Sequence, residues 1–494
     1  MFSLISKERR QSRAFVAFVI YISLYLDNML LTVIVPILPD YLVHFYSNTN
    51  ATIIIPKSVM YKHFDLHYVP KLMGATSGHV SLNNLTTTDQ SIPLESENGS
   101  IGILLAVKAL VQLLFNPIVG NVSTKIGYSI PISFGTFNLL LASMIFAFGQ
   151  SYASLFIARA IHGVGSACIC VCGMSLVAQL YTEPDKRSRI MGTIMGSIAV
   201  GVLVGYPFGG IAYDILGKAA PFHILSILCL VILLTQFYSL DFVTRHKTSS
   251  IVSGDERSKW WPLLTNKMIL IIIGGIWIST SAMSILEPCL PLWMMNVLHP
   301  KKWQLGTVFI PDSVGYWIGT NFFGGIAYKF GQIKIAILAV TSVGISCIII
   351  PSATTVLGLL LPHFGLGLGI GVIDAALIPL LATIVDNQCT SDNESDICES
   401  TPNYGAVYAI QQIAVSLAYS LAPIVGGELV PLIGFSWLMR IIGILNLMYG
   451  PFLVYFGTKE PVCNMMHKQC GIPLTLPDLS SSEGGYKRFY NTVE

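Results

Sequence analysis

The sequence predicts an all-α polytopic membrane protein, twelve transmembrane helices arranged as two pseudo-symmetric six-helix bundles. Three observations predict it: charge is scarce, apolar runs of membrane-spanning length recur twelve times, and motifs repeat half a chain apart. Hydrophobic residues make up 53% of the 494 positions and charged residues 11%, with a mean hydropathy of +0.67. Soluble chains carry about 25% charged residues, and a solvent that is itself apolar accounts for the deficit. The 28 Lys+Arg against 26 Asp+Glu leave a net charge of +2, which offers no footprint for nucleic acid. Zinc-ligand spacings and phosphate-cradling loops are missing. Cys168, Cys170 and Cys172 would scatter around a helix circumference, so neither a metal nor a cofactor is expected, nor an enzyme.

A helix needs roughly 20 mostly apolar residues to cross the hydrocarbon layer. The first run, 14–37, follows the basic stretch Lys7 to Arg13 and is too long for a signal peptide, so it reads as an uncleaved span. The long segment 41–99 then precedes runs at 100–119, 129–149, 153–180, 188–212 and 220–240. A polar, basic linker at 241–266 divides these six from 267–295, 304–328, 333–351, 354–385, 404–430 and 434–457. The expected domains are an N-terminal tail (1–13), a bundle over 14–240, the linker, a bundle over 267–457 and a tail over 458–494. Lys and Arg gather at the N-terminus, at Lys125, at Lys186-Arg187-Ser188-Arg189, at Arg245 to Lys259 and at Lys329. With alternating helices all these fall on one side, which makes that side, and both termini, cytoplasmic. The 41–99 segment lies opposite and holds three sequons, at Asn50, Asn84 and Asn98, as expected of a glycosylated lumenal loop.

The halves echo each other. Gly120-x4-Lys125-x-Gly127 after the second span returns as Gly324-x4-Lys329-x-Gly331 after the eighth. Pro207-Phe208-Gly209-Gly210-x6-Gly217 in the fifth returns as Pro423-Ile424-Val425-Gly426-Gly427-x6-Gly434 in the eleventh. Equivalent motifs six helices apart imply duplicated bundles with a substrate site between them near mid-membrane. That arrangement resembles the major facilitator fold.

Ionisable residues inside apolar helices carry the functional signal. Asp27, Lys108, Arg159, Glu287 and Asp374 each cost about 2.5–3.5 kcal/mol at a helix centre. Together that is on the order of 10 kcal/mol, more than a marginally stable fold carries uncompensated. They must face a wet cavity or one another. Asp27–Lys108 and Arg159–Glu287 are the expected pairs, and satisfied struts between helices are the plainer reading of both. Glu287 precedes Pro288, and Asp374 follows the glycine stripe Gly365, Gly367, Gly369, Gly371 with no cation in view. Carboxylates around a cavity suit a cationic solute, and desolvation favours a carboxylate's protonated form, so proton-for-cation exchange follows. Tyr316 and Tyr419 could hold an ammonium group over their rings for about 0.5–2 kcal/mol. Asp312, one turn before Tyr316, reads as a solvated residue at the mouth.

These same residues carry a resemblance to the vesicular amine transporters, monoamine branch above all. The matching strings are Leu26-Asp27-Asn28-Met29-Leu30-Leu31-Thr32-Val33, Lys108 with Asn116-Pro117, Ile157-Ala158-Arg159, Leu286-Glu287-Pro288, Pro291-Leu292-Trp293-Met294-Met295, Lys302-Trp303-Gln304-Leu305-Gly306, Ile318-Gly319-Thr320-Asn321, Asp374, Val385-Asp386 and Val407-Tyr408-Ala409-Ile410. Arg159-x3-Gly163-x-Gly165 resembles drug/proton antiporters more broadly. The resemblance implies a monomeric vesicle-membrane antiporter that moves a monoamine such as serotonin, dopamine or histamine inward while protons leave. It implies amine contacts at Asp27, Asn28, Glu287, Tyr316 and Tyr419, and a charge network of Asp374, Lys108, Arg159, Asp386 and Gln412. Polyamine, acetylcholine or multidrug antiport by the same fold is the alternative. The sequence also departs from the family. Gln412 stands where an acid should pair with Lys108, and Tyr206 where a Pro is usual. An acidic insert, 387–401, replaces an Arg-His pair, and the lumenal Cys pair is missing. Glu460 to Met466 faintly resembles an acidic sorting signal.

Overall fold

The computed structural model describes residues 12–34, 37, 94–240, 260–300, 304, 307–391 and 403–457. Among these are twelve helices of 18 residues or more: α1 (Arg13–Val33), α2 (Leu94–Ile126), α3 (Ser129–Phe148), α4 (Tyr152–Leu180), α5 (Pro184–Leu216), α6 (Ala220–Ser239), α7 (Lys267–Val297), α8 (Ile310–Phe330), α9 (Gln332–Ile349), α10 (Leu360–Ser391), α11 (Tyr404–Ile433) and α12 (Phe435–Gly457). Eleven stretches are long and apolar enough to cross a membrane; the exception is α8, which carries Asp312, Asn321 and Lys329. Hydropathy alone understates α8 because Asp312, Ser313 and Thr320 pack inward, while Lys329 at its end is exposed.

Helix ends follow local chemistry. Ser12 caps α1 by accepting from the Phe15 amide at 3.2 Å, and Ser151 caps α4 through a reciprocal box with Ser154. Among the described residues, the positive-φ glycines are Gly127, Gly217, Gly331 and Gly434, one from each copy of the two repeated motifs. Each ends a helix with a backbone conformation that side chains resist, which explains why those glycines recur six helices apart. Several boundaries differ from expectation: α5 runs Pro184–Leu216 rather than 188–212, α8 starts at Ile310 rather than 304, and α10 runs Leu360–Ser391 rather than 354–385. α2 starts at Leu94, so Asn98 lies in a helix rather than in the loop expected over 41–99. Asn50, Asn84, the linker's basic cluster, most of the acidic insert and the tail's sorting-like string lie outside the described residues.

The packing is duplicated. In the first half α1 packs on α4, α5 and α6, α2 and α3 on α4, and α3 on α6. In the second half α7 packs on α10, α11 and α12, α8 and α9 on α10, and α9 on α12. Every pair thus has a counterpart six helices later. The bundles meet symmetrically too, α2 on α11 and α5 on α8, with α4–α11 and α5–α10 beside them. Lipid tails give helices no hydrophobic reason to associate, so close backbone approach through small residues does the work. On α5, Gly201, Gly205 and Gly209 lie against α1 at Tyr25, Thr32 and Val33. On α10, Gly367 and Gly371 lie against the backbone of Asp312 and Tyr316.

The bundles are fastened at the end where α2 finishes and α5 and α11 begin. Ser188 Oγ donates to the Gly324 carbonyl at 2.7 Å, Gln112 Nε2 to Gln412 Oε1 at 3.4 Å, and Asn116 Nδ2 to Ser416 Oγ at 3.1 Å. Arg187, fully buried, donates to Asp386 at 2.7 Å and to Thr383 at 3.0 Å, while Tyr404 donates to Asp386 at 2.5 Å. Arg187 thus bridges from α5 to α10, and α11 braces the same carboxylate.

Candidate functional site

Two groups of ionisable side chains stand out, one within the first bundle and one centred on the second, with Arg159 in electrostatic reach of both. The first surrounds Asp27 in α1, whose carboxylate is 1% exposed. Its Oδ2 faces Lys108 Nζ from α2 at 4.0 Å. Its Oδ1 accepts from His162 Nε2 at 3.0 Å and from Ser166 Oγ, both on α4. The predicted Asp27–Lys108 pair is therefore present. His162 and Ser166 were not anticipated. The signal was available: Arg159, His162 and Ser166 are spaced by three and four, which puts them on one face of α4. A neutral imidazole in an apolar run does not register in a search for charges.

The second group is centred on the second bundle. Tyr316 Oη on α8 donates to Asp374 Oδ2 on α10 at 2.7 Å. Tyr206 Oη on α5 donates across the interface to Glu287 Oε1 on α7 at 3.1 Å. Tyr419 on α11 sits close enough to Glu287, Asp312 and Asp374 to feel the charge of all three, and Asp312 in turn senses Glu287. Three carboxylates and three tyrosines from five helices therefore converge. Glu287 and Asp374 are part-exposed, so this gathering is wetter than the surroundings of Asp27.

Four expectations need correction or refinement. Arg159 and Glu287 do not form an ion pair within 4.0 Å among the described residues. Both terminal nitrogens of Arg159 reach the Leu31 carbonyl at 3.5 Å, near the end of α1 where helix carbonyls lose their intrahelical donors. Tyr206 takes the Glu287 carboxylate instead, although Arg159 remains within electrostatic reach of both. Asp312 is not a solvated mouth residue: it is 7% exposed, and its Oδ1 has no hydrogen-bond partner. The cause is its position against Gly367, where a missing side chain on α10 draws the helices together. Asn28 turns its amide to the Leu24 carbonyl of its own helix at 2.8 Å rather than toward a chamber. Asp386 and Gln412 belong to the fastened end, as partners of Arg187 and Gln112.

The fold and this inter-bundle gathering are those of a two-bundle secondary transporter rather than an enzyme. The profile described as Major Facilitator Superfamily matches residues 17–392. The synaptic vesicular amine transporter of Homo sapiens is 36% identical over 94% of this chain and 93% of its own length. The vesicular acetylcholine transporter of Torpedo marmorata is 31% identical over 98% of this chain and 88% of its own. Among solved structures, the human organic anion transporter MFSD10 (TETRAN) superposes with a TM-score of 0.65 at 16% identity, covering 91% of this chain and all of that one, a likeness of fold alone. The chain belongs to the major facilitator superfamily and, within it, to the family of the vesicular amine transporters.

Proposed function

We propose that this protein is a proton-coupled antiporter that loads a cytosolic monoamine into acidic vesicles by alternating access. The observation that carries the reading is the convergence of Glu287, Asp312 and Asp374 around Tyr316 and Tyr419 in the second bundle, met from the first by Tyr206. Carboxylates attract a protonated amine, aromatic faces add about 0.5–2 kcal/mol, and the same carboxylates hold protons when the amine is absent. Asp27, its Oδ2 answered only by a distant Lys108, is a second anchor for the ammonium group. Asp374, held by a neutral phenol rather than by a cation, is the proton-coupled acid. Charge distribution supports both termini being cytoplasmic and the 41–99 segment being lumenal and glycosylated. The fastened end is then the cytoplasmic one. The protein acts as a monomer in the vesicle membrane.

Each proton exchanged contributes about 1.4 kcal/mol per pH unit, and each net charge moved about 2.3 kcal/mol per 100 mV. Large accumulation therefore requires more than one proton per amine. Acetylcholine, polyamine or drug transport is the second reading, favoured only by the 31% identity to the acetylcholine carrier. The test is uptake of labelled serotonin, dopamine, histamine, acetylcholine and spermidine into acidified vesicles bearing the protein. We expect uptake of a monoamine that disappears when the pH gradient is collapsed. Gradient-independent uptake, or none, overturns the antiport reading, and preference for acetylcholine or spermidine selects the second.

A further inference from the structure

We infer that His162 carries one of the exchanged protons, on its Nδ1, with Asp27 as the shared counter-charge that makes proton and amine binding mutually exclusive. The inference deepens the antiport reading and rests on it. Three observations support it. His162 Nε2 lies 3.0 Å from Asp27 Oδ1 and 3.2 Å from the Asp27 main-chain carbonyl. Both neighbours are acceptors, so Nε2 is the nitrogen bearing hydrogen, and Nδ1 is left with a free lone pair. That Nδ1 is fully buried and has no hydrogen-bond partner. A buried acceptor without a donor is costly, and a proton is the smallest group able to satisfy it.

The charged groups facing the imidazole are Asp27 from α1, Lys108 from α2 and Arg159 one turn back on α4 itself. Ser166, one turn ahead, donates to the same Asp27 oxygen, and Cys170 beyond it is near enough to sense Asp27 and Lys108. Of the other helices packed on α4, α3 places the neutral Asn138 beside Gly165, and α5 brings Tyr206 to Arg159. α11 also packs on α4, and its Gln412 already accepts from Gln112 of α2. Two fixed cations oppose a third charge, so Asp27 is what makes an imidazolium tenable, and only while that carboxylate is otherwise unclaimed.

The cycle follows. Facing the acidic lumen, a proton from water joins Nδ1, the imidazolium pairs with Asp27, and the amine's ammonium group is displaced. Facing the cytosol, a new ammonium pairs with Asp27, the imidazolium loses that attraction, and its Nδ1 proton leaves to cytosolic water. Nε2–H stays bonded to Asp27 throughout. No bond other than N–H is made or broken.

His162→Gln tests this, because the glutamine amide still donates to Asp27 but cannot take up a proton. In reconstituted vesicles with the membrane potential clamped at zero, steady-state accumulation of labelled serotonin is plotted logarithmically against the pH difference. The slope counts protons per amine, each worth about tenfold accumulation per pH unit. We expect the slope of His162→Gln to be lower by one than that of the unsubstituted protein. An equal slope in a transporting variant overturns the inference. A flat line for the unsubstituted protein itself sinks the antiport reading instead. Where His162→Gln binds serotonin but does not transport, proton release on adding serotonin to purified protein in weakly buffered detergent decides: one proton fewer than unsubstituted supports the inference, and equal release overturns it.

Discussion

At the residue scale, the departure from family pattern at Tyr206 acquires a role, since its hydroxyl donates to Glu287. A hydrogen bond to a charged group contributes about 1.5–3 kcal/mol, and less at the part-exposed Glu287. Tyr206→Phe should therefore weaken amine binding on the order of tenfold, read as a rise in apparent KM with maximal uptake largely kept; an unchanged KM means the contact is incidental to binding. Asp374→Asn differs in kind, because the amide can still accept from Tyr316 but holds no exchangeable proton. Uptake driven by the pH gradient should vanish while equilibrium binding of labelled amine survives. Retained gradient-driven accumulation would remove Asp374 from the coupling machinery. Much of this site was legible in the sequence, since a charge in an apolar helix announces its own cost: Asp27, Lys108, Glu287 and Asp374 all lie where the helices meet. Partner choice was not legible. Whether Glu287 faces Arg159 or Tyr206 depends on how α4, α5 and α7 rotate against one another, and no spacing within one helix encodes that. Arg187 shows the opposite failure. Within Lys186-Arg187-Ser188-Arg189 it reads as one more cytoplasmic charge, yet it alone of the three basic residues is buried, as a strut to Asp386.

At the element scale, the repeats were the most readable feature, because glycines that end helices or let backbones touch are constrained by geometry rather than by partner. The α8–α10 pair shows what the stripes accomplish. Gly371 lies against the backbone of Tyr316, so the same contact that packs the helices also fixes the phenol beside Asp374. Gly371→Val should push the helices apart at an overpacking cost of about 1–3 kcal/mol. We expect a lower melting temperature in detergent together with a larger loss of uptake than of protein. If uptake falls only in proportion to protein recovered, the glycine serves packing alone. The boundary of α2 was less legible: the polar residues Glu95 to Ser100 continue the helix past the apolar run, and hydropathy cannot see a helix outside the hydrocarbon.

For the whole molecule, the question is what holds the two bundles in this arrangement. The fastened end relies on few polar contacts, and the Arg187–Asp386 pair is the charged one among them, with Arg187 1% exposed at its side chain and Asp386 31%. Removing one partner of a fully buried pair costs about 3–5 kcal/mol; Asp386, already part-exposed and still held by Tyr404, makes the cost of losing Arg187 smaller, about 1–3 kcal/mol. That penalty falls on the fastened arrangement and is relieved when the bundles part. A two-state equilibrium shifted by about 1.4 kcal/mol changes its ratio about tenfold. Arg187→Ala should therefore move the population toward the form open at this end without unfolding the protein. Ser416, bonded to Asn116 across the same seam, is the reporter. A cysteine placed at 416 should react with a membrane-impermeant thiol reagent from the cytosolic face, slowly in the otherwise unsubstituted protein and faster once Arg187→Ala is added. Equal rates would mean that the pair contributes nothing to closure and that the close contacts of α5 with α8, Gly192 on Thr320 and Gly324 on Ser188, hold the seam by themselves. Faster labelling from the lumenal face instead would reverse the sidedness inferred from the distribution of Lys and Arg.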